Sequence, residues 1–218
     1  MELSDYLPFW GKLTEEQRRQ LTQAAQPRTL PKGSVIQRGG EECLGLLLMG
    51  SGQLRACLLS EEGREITLYR LFDRDICLFS ASCMLQSIQF DITLEVEKES
   101  AVWVIPAPVA RQVMEVSAPM ANYINELMAA RFSEVMWLVE QILWKSFDKR
   151  LAAFLLEESI LEGDSVLSIT HEAIGRHLGT AREVVTRMLR YFQSEGLVEL
   201  TRGRVRLLNQ QGLQAMQR

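Results

Sequence analysis

Apolar positions change their spacing twice along the chain. Near the start the spacing is helical over roughly Thr14–Ala25, where Thr14 stands as an N-cap and Glu15 and Glu16 occupy the first turn. From about Leu30 to Pro106 the apolar residues come in short runs broken by Gly, Ser and charge. These runs are Leu44–Met49, Leu54–Leu59, Glu65–Phe72, Ile92–Val96 and Val102–Ile105, with Gly50-Ser51-Gly52 and Ser60-Glu61-Glu62-Gly63 between the first three. Short runs spaced about ten residues apart predict an antiparallel sandwich or jelly roll.

After Pro106 the period becomes helical. From Pro119 to Lys145 there is neither Gly nor Pro, and Ile124, Met128, Val135, Val139 and Ile142 fall on one stripe, widened by Leu127, Phe132, Met136 and Leu138. A helix of this length is about 40 Å long, more than one small roll can cover. Its apolar face therefore needs another domain or its own copy, and the stripe favours a homodimer seam. A shorter helix follows at about Phe147–Ser159, then a Gly163-Asp164 connection. The expected class is α+β, with residues 1–117 as a jelly-roll sensor, 118–145 as a dimerisation helix and 146–218 as a further unit.

That last unit carries the chemistry. Thr170 can cap a helix whose inward positions are Ala173, Ile174 and Leu178; Gly179 sits at a tight turn, and Thr180 is expected to cap a second helix facing inward through Val185, Met188, Leu189 and Phe192. This is the grammar of a helix-turn-helix, in which one helix braces another for the major groove. Arg182, Glu183, Thr186, Arg187 and Arg190 lie off the apolar stripe. Arginine can donate twice to guanine, and glutamate can accept from cytosine. Leu197–Leu200 and Arg204–Leu208 then predict a two-stranded wing, on which Arg202, Arg204 and Arg206 suit phosphate contacts. His171, at the start of the first helix, is placed for a phosphate. His177, six residues on, falls on another face, so the two do not chelate a metal.

Composition alters the picture at one point. The chain has 218 residues, 47% hydrophobic and 24% charged, with a net charge of −4. These values exclude disordered, collagenous and coiled-coil-only readings. No apolar run reaches the roughly 20 residues of a membrane span, and the start, MELSDYLPFW, lacks a secretory pattern; a cytoplasmic protein is expected. Cys43, Cys57, Cys77 and Cys83 match no zinc spacing. The acidic total conceals a division. Residues 1–145 carry −5 and residues 146–166 carry −3, whereas residues 167–218 carry +4. A basic reader is attached to an acidic sensor.

On these residues the sequence resembles the Crp/Fnr family of bacterial transcription regulators. The block Thr180-Ala181-Arg182-Glu183-Val184-Val185-Thr186-Arg187 is similar to the family's recognition helix. Lys149-Arg150-Leu151-Ala152-Ala153-Phe154-Leu155-Leu156 is similar to the helix before it, and Gly50-Ser51-Gly52-Gln53-Leu54-Arg55 with Gly63-Arg64-Glu65 to the roll. The resemblance implies a cyclic-nucleotide-binding-like jelly roll, a dimerisation helix and a C-terminal winged helix-turn-helix. It also implies a homodimer on palindromic duplex DNA, with RNA polymerase as a partner and no enzymatic activity. Arg182, Glu183 and Arg187 would read bases, with Thr186 beside them.

The departures concern the sensor. Cyclic-nucleotide binders of the family carry a Gly-Glu and a later Arg-Ser; the matching positions here read about Leu78-Phe79 and Gln89-Phe90, and no basic residue lies between Arg74 and Lys98. A buried phosphate without a cation is strongly disfavoured, so cyclic AMP is not expected. A pocket formed by Leu78, Phe79, Ser80, Ser82, Cys83 and Gln89, with Tyr123 and Leu127, would suit an uncharged or aromatic small molecule. The family's iron–sulfur type uses cysteines near the N-terminus, but the first here is Cys43. Its haem binders commonly use histidine, and both histidines lie in the DNA-binding motif. No cofactor or metal is assigned; cysteine ligation or a thiol switch at Cys77 and Cys83 stays open beside a plain core role. Two alternatives are a ligand-binding roll without DNA contact, and a metal-dependent cupin-like enzyme, which would need histidines ahead of His171.

Overall fold

The computed structural model describes residues 2–37, 44–78 and 92–217. They divide into two compact units, Met1–Leu59 with Leu68–Val135, and Ser60–Thr67 with Met136–Arg218.

The first unit is built on an antiparallel sheet. Its strands are β1 (Gln26–Leu30), β2 (Val35–Gln37), β3 (Leu46–Leu59), the part of β4 (Glu65–Leu71) from Leu68 onward, β5 (Ile76–Cys77) and β6 (Thr93–Ile105). The order is β1-β6-β3-β4, with β2 also on β6 and β5 also on β3. Two expectations are corrected here. Gly50-Ser51-Gly52 does not separate two strands, and Ile92–Val96 is not separate from Val102–Ile105; each pair is one long strand. The register between β3 and β6 shifts at Met49/Ser51, Ser51/Gln53 and Gln53/Leu54. Bulges bend a strand without ending it, and Gly52, at φ +97°, brings its backbone against Glu99 and Ser100 where a Cβ would collide.

The helices of this unit are α1 (Glu15–Ala24), α2 (Ala107–Val116) and the first part of α3 (Ala118–Trp144). Thr14 caps α1 as expected, accepting from Gln17 N while Gln17 reaches back to Thr14 N. One core cluster joins the N-terminal residues to the helices through Leu7, Leu21, Ile105, Val113 and Met120. A second fills the sheet through Met49, Leu54, Leu71, Leu94 and Val104.

The second unit contains α4 (Phe147–Glu162), β7 (Val166–Leu167), α5 (His171–Leu178), α6 (Arg182–Ser194), β8 (Val198–Thr201), β9 (Arg204–Leu207) and α7 (Gln210–Met216). Its sheet runs β7-β9-β8. Leu151, Leu155, Ile174, Val185, Leu189, Phe192, Val205 and Leu213 form one core, each fully buried.

The long helix departs from its sequence reading in one respect. Ile124 is 2% exposed and packs, with Met128, inside the first unit's own core, so Ile124 is not free to form a dimer seam. The exposed apolar residues are Phe132, Met136, Trp137, Val139, Ile142, Leu143 and Trp144. Phe132, Met136, Val139 and Leu143 alternate spacings of four and three, the heptad seam of a coiled coil. The apolar face is wide enough that the stripe's direction could not be fixed until packing on the sheet claimed one side of it.

A candidate DNA-binding surface and the sensor's charged groups

The α5–α6 pair is set by its turn. Thr170 accepts from Ala173 N at 3.1 Å and caps α5. Gly179 ends α5 at φ +69°, a left-handed conformation that L side chains avoid. Gly175 leaves room for the chain to return: a Cβ there would stand 2.7 Å from the Thr180 carbonyl oxygen. The expectation that Thr180 caps α6 is corrected. The N-cap is Ala181, with no side-chain hydrogen bond, because the Thr180 N–H closes the turn on Gly175 O at 3.0 Å and the helix starts one residue later.

Val185, Leu189 and Phe192 of α6 face inward and are fully buried, which turns Arg182, Glu183, Arg187 and Arg190 to solvent. None of those four forms an ion pair among the described residues. Thr186, between them, is fixed instead. Its hydroxyl donates to Arg182 O at 2.9 Å and lies 2.9 Å from His171 Nδ1, tying the outer faces of α5 and α6 together. Burial, and then the charges of Arg182 and Arg190, lower the His171 pKa from its ordinary 6.5.

The wing closes through Thr201-Arg202-Gly203, with Arg202 and Arg204 exposed and Arg206 paired to Glu199 at 3.3 Å. Arg150 turns inward, donating to Leu178 O at 3.2 Å at the C-terminal end of α5, while His177 stacks against Phe154. The two histidines therefore serve separate places, as their spacing implied.

Residues Ser60–Thr67 belong to this unit as well. Thr67 Oγ1 lies 2.9 Å from His177 Nδ1, Ile66 forms an antiparallel bridge with Leu178, and Glu65 lies 4.0 Å from Arg176. Nothing in the sequence pattern announced this arrangement. A cleft of about 690 Å³ opens where Arg64 and Glu65 meet Thr170, Thr180 and Arg182.

In the first unit, Phe79, Ser80, Ser82, Cys83 and Gln89 lie outside the described residues. Leu78, Tyr123 and Leu127 pack into the cluster shared by the helices and the N-terminal residues, not the cluster inside the sheet. The sequence reading missed three charged groups here. Arg55, only 2% exposed, pairs with Glu95 at 2.5 Å, and Arg70 pairs with Glu97 at 2.8 Å. Arg131 of α3 places its guanidinium 4.5 Å from the centre of the Tyr69 ring, pairs with Glu134 at 2.7 Å and approaches Asp75 at 3.9 Å. The available signal was a lone arginine on the helix beside an apolar stripe. Burial, and then neighbouring Cys77, hold the Tyr69 pKa well above its ordinary value. Cys57 and Cys77 are buried thiols. No cluster of metal-ligating side chains occurs among the described residues, and no described helix is long and apolar enough to cross a membrane.

Comparison with known proteins agrees with this geometry. Residues 27–117 match the cyclic nucleotide-binding domain, and residues 149–216 the Crp-like helix-turn-helix domain. A solved structure assigned to the Crp/Fnr family of transcriptional regulators, from Eubacterium rectale ATCC 33656, is 55% identical, with a TM-score of 0.96 over 98% of this chain and 99% of that one. The fumarate and nitrate reduction regulatory protein of Vibrio cholerae is 27% identical over 215 residues, covering 93% of this chain and 82% of that protein. The c-di-GMP-responsive regulator CLP of Xanthomonas campestris shares the fold, with a TM-score of 0.77 at 17% identity over 90% of this chain and all of that one. With its two domains in this order and a full-length relative at that identity, the chain belongs to the Crp/Fnr family of DNA-binding transcription regulators.

Proposed function

We propose that the chain acts in the cytoplasm as a homodimer whose two α6 helices read half-sites of a palindromic operator, alongside RNA polymerase. The observation carrying this reading is the exposed face of α6, where Arg182, Glu183, Arg187 and Arg190 stand without ion-pair partners among the described residues, above a fully buried inner face. Arg182, Glu183 and Arg187 take base edges. Thr170, His171, Thr180, Arg190, Arg202 and Arg204 lie against the backbone. Replacing Arg187 with Ala is expected to cost about 1–3 kcal/mol in binding to the gene's own upstream region and to relax preference at one base position. Unaltered affinity and preference in a gel-shift titration would overturn that assignment.

The dimer seam in this reading runs through Phe132, Met136, Val139 and Leu143. Leu143→Glu is expected to shift the sedimentation of the full chain towards a monomer and weaken operator binding; a dimer that persists unchanged argues against the seam. The sensor is read as responding to an effector other than a cyclic nucleotide. Arg55, Arg70 and Arg131 each face a carboxylate of their own, and the tract from Ile76 to Glu97 contains no Lys or Arg. Saturating cyclic AMP or cyclic GMP is expected to leave the melting temperature in place, and a clear rise with either would reverse this part of the reading.

A further inference from the structure

His171 is held in one tautomer by its neighbours. The Thr186 hydroxyl has already given its proton to Arg182 O, so towards His171 it can only accept, and Nδ1 must carry the hydrogen. In the neutral ring Nε2 is then a bare lone pair, and it makes no hydrogen bond among the described residues. The charged groups facing the ring are Arg182 and Arg190 of α6, and Glu172 follows it on α5. Partial burial, and then these two cations, lower the pKa of the ring and favour its neutral form in the free protein.

A DNA phosphate reverses each of these conditions. The first helix of a helix-turn-helix crosses the sugar–phosphate backbone, and His171 is the first residue of that helix. A phosphate there would offset the charges of Arg182 and Arg190 and present oxygens that accept, towards a nitrogen that has no proton to give. We propose that His171 takes up a proton when the α5–α6 surface meets a DNA phosphate, so that this one side chain couples DNA affinity to pH. The inference rests on the DNA-binding reading given above. The proton enters at Nε2 from solvent, Nδ1–H stays on Thr186, and the resulting imidazolium donates to the phosphate. The residue thereby adjusts the strength of backbone contact without altering the bases read.

The test is an anisotropy titration of the full-length protein at constant ionic strength from about pH 5.5 to 8.5, the range in which histidine changes charge. The probes are a labelled duplex of the gene's own upstream region and a scrambled duplex of equal length. Affinity is expected to rise as pH falls, by up to about tenfold per protomer for each unit by which phosphate raises the pKa. Both duplexes should show the rise, since phosphate contacts carry no sequence. H171Q, which keeps an N–H for Thr186 but cannot ionise, should flatten the profile, and H171R should bind tightly with a flat profile. H177Q should keep the wild-type slope. A flat wild-type profile, or a wild-type slope retained in H171Q, overturns the inference alone; absence of binding to either duplex at every pH overturns the DNA-binding reading beneath it. Should H171Q fail to fold, the His171 ring proton resonances of the wild type decide: titration at higher pH with DNA supports the proposal, and an unmoved titration sinks it.

Discussion

The two units hold their polar groups in opposite ways. In the sheet, Arg55 meets Glu95 and Arg70 meets Glu97 across separations of 40 and 27 residues, and the charges are matched inside the fold. At the start of α5 and on the outward face of α6 the fixed contacts are local, Thr170 to Ala173 and Thr186 to Arg182, and the charges of Arg182, Glu183, Arg187 and Arg190 are left without ion pairs among the described residues. A unit that must exchange water for phosphate gains from charges unpaired beforehand, because an internal partner would have to be removed first. A unit that must stay closed around its own interior gains from the reverse.

The largest effect expected from this contrast lies in the apolar support of the surface rather than in its arginines. Phe192 is fully buried beneath α6, and Phe192→Ala is expected to cost about 3–5 kcal/mol in chemical denaturation. Arg187→Ala, on the opposite face of the same helix, should leave stability within about 0.5 kcal/mol. Comparable losses from both would mean that the outward arginines are structural and the contrast false.

Arg55 offers the converse test. Removing a cation that is 2% exposed takes the Arg55 charge from beside Glu95, itself 21% exposed, and Arg55→Ala is expected to destabilise by about 3 kcal/mol. Replacing both, as Arg55→Met with Glu95→Gln, should recover much of that loss. A double variant as unstable as the sum of the singles would show that the pair is not coupled.

The same contrast explains what the sequence disclosed. Thr14, Thr170, Gly179 and the inward face of α6 depend on neighbours within four residues, so their roles could be read directly. The bends of β3 and β6 could not, because glycine and serine serve a bulge as readily as a turn, and only the partner strand decides between them. Arg131 beside Tyr69, and Thr67 beside His177, join residues 62 and 110 positions apart, and no local period records such pairs. Ile124 was misread for a related reason: a helix that is apolar on two sides shows where it can be buried, but not which side its own sheet takes.

Capping gives a smaller and sharper comparison within one motif. Thr170 caps α5 through its side chain and Thr180 does not cap α6. Thr170→Ala is expected to cost about 1 kcal/mol, whereas Thr180→Ala should stay within about 0.5 kcal/mol. Equal losses in urea denaturation would restore the cap that the sequence suggested.

The smallest effect concerns pH, and its sign is opposite in the free and DNA-bound protein. Burial, then Arg182 and Arg190, set the folded pKa of His171 below its ordinary 6.5. The unfolded chain therefore takes the proton first as pH falls, so the stability associated with the neutral ring is complete above 6.5 and is lost below it. Both histidines of the chain lie in the reader, so this loss belongs to the unit that binds DNA. The urea midpoint of the wild type is expected to drop from about pH 7.5 to 5.5 by more than that of H171Q. With saturating duplex present, the ordering should invert, because the bound state now favours the imidazolium. Equal drops in wild type and H171Q without DNA would show that His171 is not held neutral, and the contrast between a self-matched sensor and a reader completed by phosphate would then rest on the arginines alone.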